Sequence, residues 1–251
     1  MIDVSNRVAV ITGASRGLGA GMARLFFERG LRLAVCARSR PDFADDARCI
    51  SRSVDVTEVE AVDAFCAEAA SRFGRIDLWI NNAGLLAPIG PLRDNDPDAF
   101  AEHLAVNVLG VFHGSRAFIR QVRSQDQEPG QDSGVLINIS SGAARNAYAG
   151  WSAYCAGKAA VDRMSEAIAL EEVDQGLRVH AVAPGIIDTE MQAMIRGCTP
   201  EQFPKVQKFL DLKQDNAFST PEFVAERLLE LAFDPAHRTD EVLLSLPRPV
   251  G

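Results

Sequence analysis

The chain predicts an α/β domain on a doubly wound parallel sheet of about seven strands. Three observations carry this. Strand-length apolar runs alternate with helical stretches along 251 residues, a glycine-rich turn joins the first strand to the first helix, and the polar motifs fall where strands end. Ligands of such sheets bind outside the carboxyl ends of the strands.

Residues 7–12 (RVAVIT) are an apolar, β-branched run of strand length. They lead into Gly13-Ala-Ser15-Arg16-Gly17-Leu18-Gly19, after which residues 20–29 read as a helix. Further strand-like runs lie at 31–37, 50–54, 77–81, 134–140, 177–183 and 241–246, and helical patterns occupy 59–73, 100–123, 152–174 and 221–233. Two segments are irregular. Residues 124–133 (SQDQEPGQDS) read as a polar surface insertion, whereas residues 191–217 hold more Met, Phe and Leu than an idle loop should.

The length suits one domain spanning 1–251. The net charge of −8, from 26 basic and 34 acidic side chains, argues against a nucleic-acid partner. The five cysteines, odd in number and without a C-x-x-C pair, suit a reducing compartment. Met1 is followed at once by polar residues, so no signal peptide is expected, and no stretch looks long and apolar enough to span a bilayer. A cytoplasmic location follows as the expectation. His103, His113, His180 and His237 are scattered without metal-ligand spacing, so no metal is expected.

The most chemically pointed pattern is Trp151-Ser-Ala-Tyr154-Cys-Ala-Gly-Lys158. On a helix, the four-residue spacing sets the phenol and the ammonium on one face, a turn apart. A lysine beside a tyrosine favours the phenolate, so a weak acid of pKa about 10 is expected to exchange protons near neutrality. Ser141, thirteen residues before Tyr154, would offer a hydroxyl to the same substrate oxygen. Cys155 sits about 100° around the helix from Tyr154 and has no His placed to activate it, which argues against a nucleophilic role. At the other end of the chain, strand, glycine turn and helix make a docking place for a pyrophosphate, because glycines admit the backbone closely and a helix N-terminus presents unpaired N–H groups.

Thr12-Gly-Ala-Ser-Arg-Gly-Leu-Gly19, Asn81-Asn82-Ala83-Gly84, Asn107, Asn138-Ile-Ser-Ser141, Tyr154-x-x-x-Lys158 and Pro184-Gly-Ile-Ile-Asp-Thr189 occur in order. In spacing and sequence they resemble the short-chain dehydrogenase/reductase family, from about Arg7 to Thr189. The resemblance implies a Rossmann-type fold, a nicotinamide cofactor as hydride source, and an oxidoreductase acting on an alcohol or carbonyl. It implies Tyr154 as proton donor, Ser141 as the group that positions the substrate oxygen, Lys158 as ribose ligand and perturber of the tyrosine, and Asn107 as holder of a relay water. Gly13, Ser15, Arg16, Gly17, Leu18 and Gly19 would cradle the cofactor. Asp55 and Val56 would border its adenine, Asn82, Ala83 and Gly84 would line its path, and Pro184, Gly185, Ile187 and Thr189 would meet the nicotinamide. The segment at about 190–217 becomes a substrate lid.

Relatives that use NAD carry Asp at the end of the second strand; here Ala37 stands there, followed by Arg38. With Arg16 as a second cation for a 2′-phosphate, NADP(H) is expected, unless both arginines are ordinary solvated side chains. The resemblance narrows to the sepiapterin reductase and benzil reductase branches. Sepiapterin reductases of animals anchor the pterin through an acidic residue near the C-terminus, and no carboxylate side chain follows Glu241 here. A small ketone or α-diketone is therefore the expected substrate, with sepiapterin as the alternative. A catalytically silent NADPH-binding sensor and an NAD-linked alcohol dehydrogenase remain as rivals. Tyr148, Trp151, Met191, Met194 and Ile195 are candidates to line the pocket. Pro247 and Pro249 replace a glycine-rich ending common in the family, so a homodimer through the helices at 100–123 and 152–174 is expected ahead of a tetramer. Ala156, Gly157, Ala159 and Ala160 would permit that close approach.

Overall fold

The computed structural model describes residues 2–125, 132–215 and 218–247. Its strands are β1 (Val8–Thr12), β2 (Arg32–Ala37), β3 (Cys49–Ser53), β4 (Leu78–Asn81), β5 (Gly134–Ile139), β6 (Leu177–Ala183) and β7 (Leu243–Ser245). All pair in parallel in the order β3-β2-β1-β4-β5-β6-β7. The order reverses between β1 and β4, and a ligand crevice opens at such a switch point. The helices are α1 (Gly17–Glu28), α2 (Val59–Phe73), α3 (Pro97–Leu104), α4 (Gly110–Ser124), α5 (Ser152–Glu172), α6 (Glu190–Arg196), α7 (Val206–Gln214) and α8 (Pro221–Phe233).

Strand periodicity builds a core on each face of the sheet. Ala9 and Ile11 of β1 join α1 and α8 through Met22, Phe26, Val224 and Leu228. Val8 and Val10 face the other way, toward Phe65 and Ala69 of α2 and Phe118 of α4. Strands buried on both faces have no polar side to alternate with, which is why β1 reads as an unbroken apolar run. No helix among the described residues is long and apolar enough to cross a membrane.

Four sequence expectations need correction. The helix expected over 100–123 is three pieces, because a π turn over Ala105–Leu109 separates α3 from α4. Hydrophobic periodicity is blind to a single inserted residue, and this one turns Asn107 inward. The helix expected over 152–174 stops at Glu172 and continues as a 3₁₀ turn to Gln175. The first helix begins at Gly17, inside the glycine turn, and β7 is only three residues long. The segment 191–217 carries α6 and α7 and packs its own apolar cluster. Most of the polar insertion at 124–133 falls outside the described residues, as do Asn216, Ala217 and Pro249.

A buried polar web ties the middle of the sheet to its helices. Asn81 Nδ2 donates to Asn138 Oδ1 at 2.8 Å across β4 and β5, and Asn138 Nδ2 donates to Ser165 Oγ at 2.9 Å on α5. The Trp79 indole donates to Asn81 Oδ1 at 2.8 Å. Both asparagines belong to recurring motifs, yet their side chains are spent on architecture. Gly114 of α4 makes room for this web: a Cβ there would lie 2.1 Å from Asn81 Oδ1. Gly114→Ala should therefore lower stability by about 3 kcal/mol despite its better helix propensity, a fall of roughly 6–12 °C in Tm by thermal denaturation.

Candidate active site

The glycine turn is held from behind. Thr12 Oγ1 accepts from the backbone N–H groups of Asn82 and Ala83 at 3.0 and 3.1 Å, and Asn82 Nδ2 donates to the carbonyls of Thr12 and Gly13 at 2.9 and 3.1 Å. Asn82 thus shapes the turn instead of facing outward from it. Gly13 and Gly17 have φ of +69° and +56°, a region costly for residues with a Cβ. A Cβ at Gly19 would press on the Gly13 carbonyl at 2.3 Å. The outer rim, Ser15, Arg16 and Gly17, is exposed, while Leu18 and Gly19 are buried behind it.

The other expected cofactor residues surround this rim. Asp55 Oδ1 accepts from the N–H and hydroxyl of Thr57 at 2.9 and 2.8 Å, which shapes the turn after β3. Val56 is buried beside Gly110, and its carbonyl accepts from His113 Nδ1 at 2.9 Å. Gly84 is exposed next to Asn107. Pro184 and Ile187 are buried, Gly185 is exposed with φ +85°, and the Thr189 side chain approaches Gly17. Arg16 and Arg38 are both exposed on this rim, Arg16 paired with Glu190 and Arg38 with Glu102 at 3.6 Å. Exposed pairs of this kind contribute roughly 0–1 kcal/mol, which a bound phosphate can outbid.

Ser141, Tyr154 and Lys158 converge where β5 ends. Ser141 follows β5 by two residues, and α5 presents Tyr154 and Lys158 one turn apart, both buried. Lys158 Nζ donates to the Ile139 carbonyl at 2.7 Å and lies 5.8 Å from the centre of the Tyr154 ring. Next along the helix, buried Asp162 accepts from Ser140 Oγ and pairs with Arg145 at 3.5 Å. Burial raises the Tyr154 phenol above its ordinary value, the Ser141 hydroxyl that hydrogen-bonds it pulls the other way, and Cys155 adds a small upward push. Burial likewise pushes the Lys158 ammonium down to about 8, with Asp162 opposing. The protein's own groups thus push the phenol upward, against the acidification expected from the Tyr–Lys spacing. Desolvation wins, because both members of the pair are buried.

Asn107 is bracketed by backbone. Its Oδ1 accepts from Leu85 N–H at 2.7 Å and its Nδ2 donates to the Leu85 carbonyl at 2.8 Å, which settles the amide's orientation. Nδ2 then also donates to His103 Nε2 at 2.8 Å. That leaves His103 Nδ1 as the protonated nitrogen, donating to the Ala87 carbonyl at 2.7 Å. Burial lowers the His103 pKa and the Lys158 charge lowers it further, so the ring is neutral. Its edge faces Tyr154, with ring centres 6.1 Å apart. Gly157 allows this packing, since a Cβ there would meet His103 Nε2 at 3.1 Å. Its smallness serves the inside of the chain, a correction to the interface role expected for it. The signal for His103 was present in the sequence as a four-residue spacing from Asn107.

Aromatic rings roof the tyrosine. Trp151 stacks on Phe203 at 4.4 Å and 10°, meets Tyr154 edge-on at 5.6 Å, and touches Tyr148 and Phe209. Ile195 is buried in this cluster and Met191 packs against it, whereas Met194 is half-exposed and outside the cluster. Phe203 and Phe209 went unnamed in the sequence, where only the apolar richness of the segment was visible. Asp188 ties the roof down, pairing with Arg196 of α6 at 3.0 Å and with Lys213 of α7.

The short chain dehydrogenase family model matches residues 7–197. This chain belongs to the short-chain dehydrogenase family. It is 30% identical over 237 residues to a "Benzil reductase ((S)-benzoin forming)" of Bacillus cereus, covering 90% of this chain and 93% of that one. The like-named protein of Bacillus subtilis (strain 168) is 31% identical, covering 88% and 91%. A "3beta-hydroxysteroid dehydrogenase 1" of Eggerthella lenta is 32% identical, covering 93% and 89%. Among solved structures, a 3-ketoacyl-(acyl-carrier-protein) reductase from Brucella melitensis complexed with NADH superposes with a TM-score of 0.80 at 27% identity, covering 96% of this chain and 97% of that one.

The residues present in this short-chain dehydrogenase fit a nicotinamide dinucleotide. No side chain caps the N-terminus of α1, so its first N–H groups face the exposed rim of the glycine turn. Gly17 itself adds no side chain at the start of that helix, where a Cβ would lie 3.3 Å from the Thr189 side chain.

Proposed function

We propose that this short-chain dehydrogenase is an NADPH-dependent reductase of a small ketone or α-diketone, of which benzil is a fair representative. The observation that carries the reading is the convergence of Ser141, just beyond β5, with the buried phenol of Tyr154, one helical turn from the buried ammonium of Lys158. The phenol donates its proton to the forming alkoxide in reduction and takes one back in the reverse direction. A reduced nicotinamide, when bound, supplies hydride to the carbonyl carbon. Ser141 holds the carbonyl oxygen and Tyr154 O–H gives it the proton. Lys158, anchored on Ile139, holds the ribose side of the cofactor and places positive charge behind the phenol. The Asn107 amide is saturated by Leu85 and His103, so a relay water near Lys158 would rest on backbone carbonyls loosened by the π turn.

NADP(H) follows from Ala37 and Arg38, with Arg16 as a second cation for the phosphate and with Gly13 through Gly19, Asp55, Val56, Gly84, Pro184, Gly185, Ile187 and Thr189 around the rest. We assign residues 190–217 the role of a substrate lid within one domain, with Tyr148, Trp151 and Met191 toward the substrate. Leu109 at the end of the π turn and Phe112 of α4, with Leu170 of α5 and Val173 just beyond it, are exposed apolar side chains on the two helices expected to pair. They favour a homodimer; sedimentation as a monomer at micromolar concentration would refute it. The five free cysteines suit a reducing cytoplasm.

Tyr154→Phe should cut kcat for benzil at least ~1,000-fold while cofactor affinity stays within about twofold. In the same NADPH-oxidation assay, the wild type should lose kcat/KM as pH rises above about 8. There Lys158, its value pushed down by burial, gives up its proton before the raised phenol does. A rate still climbing at pH 9 would contradict that assignment. Arg38→Asp should weaken NADPH by about tenfold or more in KM and leave NADH within about twofold, and equal losses would speak for NAD. Running diacetyl and sepiapterin beside benzil separates the diketone from the pterin reading.

A further inference from the structure

The Nε1 atom of Trp151 is buried and meets no acceptor among the described residues. A buried N–H is ordinarily paired, because stripping it of water without a replacement is costly. Trp79, buried to a similar degree, shows the ordinary solution in its bond to Asn81 Oδ1 at 2.8 Å. Little about the Trp151 ring is adjustable. It is sandwiched by the Phe203 face at 4.4 Å, the Tyr154 edge at 5.6 Å and Phe209 at 5.6 Å. Packing on three sides fixes the indole ring, whose centre lies 5.6 Å from that of Tyr154.

We propose that Trp151 Nε1–H is a substrate-recognition donor that binds the second oxygen of a vicinal dicarbonyl, while Tyr154 and Ser141 bind the first. The inference rests on the reading of Tyr154 and Ser141 as the carbonyl site. In an α-diketone the second oxygen is carried by the carbon next to the reacting one, so it stays close to the first, and the indole and phenol rings adjoin with their centres 5.6 Å apart. A monoketone of the same outline offers no acceptor there and leaves the donor orphaned. Sites built around a hydrogen bond discriminate strongly against ligands that lack the partner. Trp151 thereby selects the substrate class and orients it, so that only one of the two carbonyls meets the phenol.

Trp151→Phe keeps an aromatic face for Phe203 and removes the donor together with part of the ring. With NADPH, the ratio of kcat/KM for benzil to that for deoxybenzoin, the matching monoketone, should fall about tenfold relative to wild type. An unaltered ratio would overturn the proposal, whether or not both activities drop, since lost packing affects the two alike. The wild-type protein provides an independent reading. Its two tryptophans give two indole N–H signals by nuclear magnetic resonance. Adding benzil to the complex with NADP⁺, which cannot reduce it, should move the Trp151 signal downfield and leave that of Trp79 in place; deoxybenzoin should move it less. Benzil that is turned over without shifting the Trp151 proton refutes this role alone. Benzil that shifts no amide signal and is not reduced refutes the diketone reductase reading with it.

Discussion

One hydrogen bond organises the candidate site: the ammonium of Lys158 donating to the carbonyl of Ile139, the last residue of β5. Ser141 leaves that strand two residues later, and Tyr154 lies one turn before Lys158 on α5. Clamping the lysine to the strand end therefore sets phenol and hydroxyl against each other without further adjustment. The bond also explains why a lysine is tolerated here at all. A buried ammonium is expensive to desolvate, and the carbonyl and the nearby Asp162 carboxylate are what offset that cost. The compromise leaves both ionisable groups displaced from their ordinary values, in a direction that keeps the phenol protonated.

Around this clamp the chain uses polar side chains to brace backbone. Asn82 and Thr12 shape the glycine turn, Asn107 brackets Leu85, and Asn81 with Asn138 staples the middle strands to α4 and α5. Each is buried or half-buried and hydrogen-bonded. That pattern follows from their place at the carboxyl ends of parallel strands, where backbone groups run out of sheet partners and need others. Over the clamp sits a layer of a different kind. The aromatic roof is held by packing and by ion pairs from Asp188, and Glu190 links the start of α6 to Arg16 on the cofactor rim. Roof and rim thus share an exposed pair that a ligand phosphate would contest.

Much of this was legible in the sequence. The parallel sheet announced itself because strands buried on both faces must be continuous apolar runs, and because glycine turns and polar motifs had to lie at strand ends. The triad of Ser141, Tyr154 and Lys158 was legible because helical geometry makes a four-residue spacing a statement about proximity. Family membership followed from motifs in register, and it needed no coordinates.

Other features depended on distances between segments remote in the chain, to which local pattern is blind. Whether Lys158 would acidify Tyr154 turned on how deeply both are buried, and burial is a property of the packed molecule. The π turn at Asn107, the neutral His103 beside the phenol, and Gly157 serving them arise from contacts among α3, α5 and the loop after β4. The same holds for Arg16 and Arg38, whose acidic partners lie far off in sequence, and for the stranded indole N–H of Trp151. The residues determined which groups could do chemistry; tertiary packing decided their burial, their partners and which donor was left unpaired, because desolvation and hydrogen-bond geometry exist only once the chain has closed around them.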